Sequence, residues 1–227
     1  RVIAGGHSLI PLMKLRMAEV PHLIDLQSIS ELTCIESGSI IRIGAMTTQA
    51  DIIDNASLAS SAPILKEASL QIADPQVRYM GTVGGNVANG DPGNDMPGLM
   101  QCLDATFILR GPNGEREVKA RDFYHAAYMT EREDDEVMVA VTFDAPKGGY
   151  AYEKQKRKIG DYATAAAAVI ISKDGSKCKE ASIAMTNLSD TPVFCGAASD
   201  CLIGTSVSAG DIKNAVNSMI DAIDPAE

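Results

Sequence analysis

Apolar positions along this chain follow two rhythms, one of period two and one near 3.6, and they alternate from segment to segment. RVIA is a short apolar run that meets Gly5-Gly6, and the next stretch, LIPLMKLRM, carries Leu9, Leu12 and Met13 on one helical face with Leu15 beside it. Strand, tight turn and helix are expected there, with Ser8 as helix cap and Pro11 near the first turn, where a missing N–H costs nothing. HLIDL (22–26) and IIRIGAMTT (40–48) read as strands, with a turn at Gly38 between them. Helical spacing returns in TQADIIDN and from Pro63 to Ile72. Residues 105–124 form the clearest hairpin pattern, two β-rich runs around Gly111-Pro112-Asn113-Gly114, and DDEVMVAVTFDAP follows as a strand.

The pattern shifts around Pro146 to Gly149. Beyond it come YAYEKQKR, the run YATAAAAVII, a turn at Asp174-Gly175-Ser176, the strand-like CKEASIAMTN, and a last helix from Asp211 to Ile223. A domain boundary is expected near residue 148, dividing 1–148 from 149–227. Strands and helices keep no strict βαβ alternation, so the fold class is α+β rather than a doubly wound sheet.

Composition narrows the function. The 227 residues are 45% hydrophobic, enough for a real core, and the net charge of −10 leaves no basic surface to hold nucleic acid or an anionic membrane. Five cysteines show neither a CxxC pair nor a Cys/His cluster at metal-ligand spacing, so reduced cytosolic thiols and no metal site are expected. No stretch approaches ~20 apolar residues. The chain opens without Met on what reads as the end of a strand, and it ends just after a helix; a fragment lacking its natural ends is expected.

Two local motifs carry the chemistry. AGGHS (4–8) and TVGGN (82–86) each set Gly-Gly beside small polar residues. Glycine permits φ > 0, so that successive N–H groups converge, and it lacks the Cβ that keeps backbone away from a ligand. An anion can be held this way without Lys or Arg, which suits an acidic chain, and Ser8 and Asn86 would add side-chain donors. Neither motif fits G-x-G-x-x-G or the P-loop, and a lone Gly-Gly is common in ordinary turns. The stretch GTVGGNVANGDPGNDMP, with five glycines, three asparagines and two aspartates, offers little to a core and reads either as a solvated loop or as a loop whose backbone touches a ligand.

AGGHSLIPLMKLRM, IGAMTTQ, QIADPQVRYMGTVGGNVANGDPGNDMPGLMQCLDA and YEKQKRKIGDYATAAAAV resemble the medium, FAD-binding subunits of the molybdenum hydroxylases, most of all their aerobic carbon monoxide dehydrogenase branch. The resemblance implies a vanillyl-alcohol-oxidase/PCMH-type FAD-binding domain followed by a smaller α+β domain of the CO dehydrogenase flavoprotein C-terminal type. It also implies further structure before the first turn and after the last helix. By resemblance the FAD pyrophosphate lies between Ala4, Gly5, Gly6, His7 and Ser8 on one side and Thr82, Val83, Gly84, Gly85 and Asn86 on the other. Asp95 falls near the cofactor, Asp161 and Tyr162 approach the isoalloxazine, and Lys158 can reach the cofactor or a neighbouring subunit. Asp91, before Pro92, reads as a turn former. His7 reads as a packing or hydrogen-bonding residue, His22 and His125 as structural, Asp25 and Asp104 as caps or turns, and Lys154, Lys156 and Arg157 as a solvated face. Met13, Met17, Met96 and Met100 read as core filler.

No acid/base pair is assigned, because the implied task is to pass electrons. The partners implied are a molybdopterin-binding large subunit, a small subunit with [2Fe–2S] clusters, and a quinone or other acceptor, in a cytoplasmic complex that can associate with the inner face of the membrane. Two alternatives stay open: the flavin subunit of a hydroxylase for an aromatic or N-heterocyclic compound, and a non-catalytic nucleotide-binding module.

Overall fold

The computed structural model describes residues 1–225. The chain begins with β1 (Val2–Ile3), paired in parallel with β2 (Ile24–Asp25), and α1 (Leu9–Lys14) lies between them. The expected helix is thus short. Ser8 precedes it in αR geometry with no side-chain cap bond, so its predicted capping role is not realised. Met17 is 72% exposed rather than core, because the helix stops before its turn.

The first sheet is antiparallel. It is built from β3 (Ile35–Glu36), β4 (Ile40–Gly44), β5 (Thr106–Gly111), β6 (Gly114–Lys119) and a long later strand, Val137–Asp144, in the order β3, β4, Val137–Asp144, β5, β6. The predicted hairpin turns at Pro112-Asn113, with Gly114 at φ +108°. Between β4 and β5 runs a helical layer: α2 (Gln49–Asp54), α3 (Ala56–Ser61), α4 (Pro63–Gln71), α5 (Pro75–Met80), α6 (Val83–Ala88) and α7 (Asp95–Cys102). Their starts are chemically marked. Thr48 and Asp51 form a capping box, Asn55 and Asp74 accept from Leu58 and Val77 amides, and Pro63 and Pro75 occupy first-turn positions.

The helices α6 and α7 correct the expectation of a loop from Gly81 to Pro97. Val83, Val87, Met96, Leu99 and Met100 are fully buried, so tertiary packing stabilises two short helices that their glycines alone would not. Every residue of α7 is buried. It joins the two halves of the molecule: Gly98 lies so close to the second sheet that a Cβ there would stand 2.2 Å from Thr186 Oγ1.

After the small hairpin β7 (Tyr124–Ala126) and β8 (Met129–Thr130), and after Val137–Asp144, which is β9, the second antiparallel sheet follows in simple order: β10 (Gly149–Gln155), β11 (Ala165–Asp174), β12 (Lys177–Thr186) and β13 (Val193–Phe194). Here α8 (Gly196–Leu202) and α9 (Ala209–Ile220) cover the sheet with Ala198, Leu202 and Ala215 against Ile183 and Cys178. Ser182 Oγ donates to the Cys102 carbonyl at 2.6 Å and Arg121 lies 3.5 Å from the Phe194 ring centroid, so the halves meet through polar as well as apolar contacts. Burial pushes the Cys102 thiol up to about 12, which makes it inert filler at this seam.

Candidate functional site

The first glycine bend leaves β1 at Ile3 and turns through Gly6, at φ +76°, into α1. Gly5 is pressed on the Met80 carbonyl, where a Cβ would stand 2.0 Å from the oxygen. Among the described residues, no protein acceptor takes the N–H of Gly5, Gly6, His7 or Ser8. Four donors in succession are therefore available to a ligand.

The second bend works differently from the expectation. Thr82 caps α6, its Oγ1 accepting from Gly85 N at 3.1 Å. Val83 N donates to Thr47 O, Gly84 N to Ala45 O and Asn86 N to Thr82 O, at 2.9 to 3.0 Å. All four amides are engaged within the protein, so this bend contributes bare backbone surface rather than converging donors. Gly84 permits the close approach to Ala45. Gly85 is exposed, and a Cβ on it would lie 3.5 Å from Ala4 Cβ; the two bends are neighbours.

They border one cleft of about 1010 Å³, at the top of the range for small-molecule sites. Ala4 to Ser8, Thr82, Gly84, Gly85, Asn86, Asp95, Asp161 and Tyr162 all line it. Val83 does not; its side chain is fully buried in the core. Asn86 Oδ1, buried and without a partner among the described residues, awaits a donor that a ligand can supply. Gln49, missed by sequence reasoning, also lines the cleft; its Oε1 accepts from Ser69 Oγ at 2.9 Å while its Nε2 has no partner among the described residues.

At one end of the cleft the two halves of the molecule meet in a buried polar group. Asp95 opens α7; Lys154 Nζ lies 2.8 Å from its Oδ2, and the Tyr152 hydroxyl donates to its Oδ1. Side-chain exposure is 1% for Lys154 and 5% for Asp95. Burial raises the Asp95 carboxyl above its ordinary range, outweighing the pull of Lys154 and Tyr152. Lys154 Nζ also donates to Gln71 O at 3.2 Å. The expectation of a solvated face thus fails for Lys154, while Lys158, the lysine expected to reach inward, is exposed and away from the cleft lining. The missed signal was the alternation in YEK, which sets Tyr152 and Lys154 on one side of β10.

The next loop brings in Asp161 and Tyr162. Asp161 pairs with Arg157 at 3.1 Å and accepts from the Tyr162 amide at 3.0 Å. Tyr162 backs onto Gly93, where a Cβ would stand 3.3 Å from its ring. Asp91 is a turn former, accepting from Gly93 N at 3.0 Å. His7 lines the cleft; His125 sits 2.8 Å from Glu131, and Asp25 accepts from the Gln27 amide.

Free amides and a buried ammonium as donors, an unpaired Asn oxygen as acceptor, and glycines that leave no room for Cβ together suit a phosphate-bearing ring cofactor. Comparison with known proteins agrees. A family described as the FAD binding domain in molybdopterin dehydrogenase matches residues 1–146, and the CO dehydrogenase flavoprotein C-terminal domain matches 150–227. The carbon monoxide dehydrogenase medium chain of Afipia carboxidovorans is 54% identical over 95% of this chain and 76% of that protein. That of Hydrogenophaga pseudoflava is 45% identical over 100% and 80%. Among solved structures, the cyanide-inactivated Cu,Mo-CO dehydrogenase superposes with a TM-score of 0.98 at 53% identity, over 100% of this chain and 80% of that one. Quinoline 2-oxidoreductase from Pseudomonas putida 86 gives 0.95 at 34% identity, with the same coverage.

Proposed function

The chain belongs to the medium-subunit family of carbon monoxide dehydrogenase-like molybdenum hydroxylases, and on that footing we propose that it binds FAD in the cleft between its two glycine bends. The observation that carries this reading is the pairing of four unengaged amides, Gly5 to Ser8, with a facing bend whose Gly85 has no side chain to obstruct. Bound there, FAD supplies a redox centre that accepts and releases electrons.

The protein's own residues would then divide the work. Gly5 to Ser8 donate to the diphosphate; Thr82, Gly84 and Gly85 let it approach backbone; and Asn86 Oδ1 accepts from a ligand hydroxyl. Lys154, held by Asp95, sets a positive charge at one end of the cleft, and Tyr162 covers the ring while Asp161 fixes the Tyr162 amide. Val83 supports α6 from the core.

In the complex, an iron–sulfur small subunit would deliver electrons that a molybdopterin-binding large subunit takes from substrate, and a quinone or other acceptor would remove them. A cytoplasmic complex and a domain boundary near residue 148 complete the proposal. Identity of 54% to a carbon monoxide dehydrogenase medium chain, against 34% for the quinoline enzyme, favours carbon monoxide as the substrate of the large subunit.

Flavin loading tests this directly: the full-length chain given FAD should turn yellow and bleach on reduction, whereas a colourless chain indifferent to FAD would support a non-catalytic module. Tyr162→Ala should keep FAD but change the rates of flavin reduction or reoxidation in stopped-flow absorbance. Unaltered rates would remove Tyr162 from the site.

A further inference from the structure

A folded protein leaves few buried polar atoms without a partner, and each exception calls for an explanation. Among the described residues three side-chain atoms are buried with no hydrogen-bond partner: Gln49 Nε2, Asn86 Oδ1 and Gln101 Oε1. Gln101 is not among the residues that line the cleft, whereas Gln49 and Asn86 both line it. Gln49 is 1% exposed. Its deficit does not depend on how the amide is turned: exchanging the two ends sets Nε2 against Ser69 Oγ and leaves Oε1 unpaired instead. A methionine would fill the same space without an unpaired polar atom.

Both residues are firmly held. Thr48 and Asp51 form the capping box that starts α2, Gln49 N donates to Gly81 O at 2.9 Å, and Ser69, fully buried on α4, holds one end of the Gln49 amide. Gly81 directly precedes the second bend, and two residues beyond Ser69 the Gln71 carbonyl accepts from Lys154 Nζ at 3.2 Å. Gln49 thus stands between the bends and the Lys154 end of the cleft. The Asn86 amide donates to Thr82 O, and its carbonyl accepts from Asn94 Nδ2 at 2.9 Å. A hydroxyl both donates and accepts, so it can satisfy Asn86 Oδ1 and also Gln49 in either orientation of its amide; a carboxylate or an ammonium could satisfy Gln49 in only one.

Resting on the flavin reading, we propose that Gln49 and Asn86 read the sugar-alcohol chain of the cofactor, the run of hydroxyls between its diphosphate and its ring. That reading sets the diphosphate at Gly5 to Ser8 and the ring beside Tyr162, so the hydroxyls cross the part of the cleft where Gln49 stands. A neutral amide bound to a neutral hydroxyl fixes the distance from diphosphate to ring without adding charge to the site. The pair makes the cleft selective for a flavin with a polyhydroxylated chain over one whose ring carries only an alkyl group. Contacts to the ring and to the diphosphate are left to other residues.

The test titrates the flavin-free, full-length chain with FAD, with riboflavin and with lumiflavin, whose ring carries a methyl group in place of the chain, and follows flavin fluorescence. The unmodified chain should bind riboflavin about tenfold or more tightly than lumiflavin. Gln49→Met should lose about tenfold in affinity for both FAD and riboflavin, the worth of one hydrogen bond to a buried polar atom, and keep its affinity for lumiflavin. Because Gln49→Met leaves Ser69 Oγ without its partner, the double variant Gln49→Met/Ser69→Ala removes both members of that bond. It should keep an unfolding midpoint near that of the unmodified chain and show the same loss. Equal affinities for riboflavin and lumiflavin in the unmodified chain, or an unchanged affinity for riboflavin in the variants, would overturn the proposal. An equal loss for lumiflavin would also overturn it, by placing Gln49 at the ring. Failure of the unmodified chain to bind any of the three would instead count against the flavin reading.

Discussion

Gly85→Val should abolish retention of FAD while leaving the circular dichroism spectrum close to that of the parent chain and lowering stability by no more than about 1 kcal/mol, the worth of the Thr82 cap that it disturbs. Gly85 faces the cleft, and the nearest atoms to an added Cβ are Thr82 Oγ1 at 2.8 Å and Ala4 Cβ at 3.5 Å. The valine methyls would occupy the gap between the bends where a ligand must lie. Its neighbour gives the contrast. At Gly84 a Cβ would stand 2.4 Å from Ala45 Cβ and 2.8 Å from Ala45 O, against the end of β4. Gly84→Val should therefore lower stability by about 1–3 kcal/mol or more, as overpacking does, before any effect on ligand is read. Flavin content and denaturation measured on both variants separate a glycine kept for the cofactor from one kept for the core. Full flavin occupancy in Gly85→Val would contradict the assignment.

Lys154→Met should lower stability by about 3–5 kcal/mol, because it leaves Asp95 buried without its cationic partner. The pH dependence follows from the raised carboxyl. A carboxyl whose folded pKa lies above its unfolded value adds stability below the unfolded value and loses it as pH rises through the folded one. Removing Lys154 removes two influences that hold Asp95 down, so in the variant this loss extends to higher pH. Urea midpoints across a pH series should show a deficit largest on the alkaline side and shrinking toward acid. A deficit constant with pH would mean that Lys154 does not shift the Asp95 carboxyl and acts through packing alone. Because Asp95 belongs to α7 and Lys154 to β10, the same substitution should loosen the second sheet from the first half of the molecule at the cleft.

Much of this was legible in the chain itself, for identifiable reasons. The hairpin at 105–124 announced itself through β-rich runs around a Pro-Asn-Gly turn, and both glycine bends stood out because Gly-Gly beside Ser or Asn is an unusual concentration of backbone freedom. The two helices within 81–102 were not legible. Their residues have poor helix propensity, and they form only because Val83, Val87, Met96 and Leu99 find a core contributed by segments far away in sequence. That same packing engages the amides of residues 83–86, a fact no motif could reveal. Lys154 was hidden by its company: a run of four basic residues looks solvated until a strand period of two is imposed on it, and its partner lies 59 residues away.

The measurement that bears most directly on the shared cleft is a comparison of affinities for FAD and for riboflavin, made by titrating the flavin-free, full-length chain and following flavin fluorescence. If the amides of Gly5 to Ser8 hold a diphosphate against the bare backbone of Gly84 and Gly85, FAD should bind at least about 100-fold more tightly than riboflavin, which lacks the diphosphate and the adenosine. Equal affinities, or no binding of either, would contradict the account.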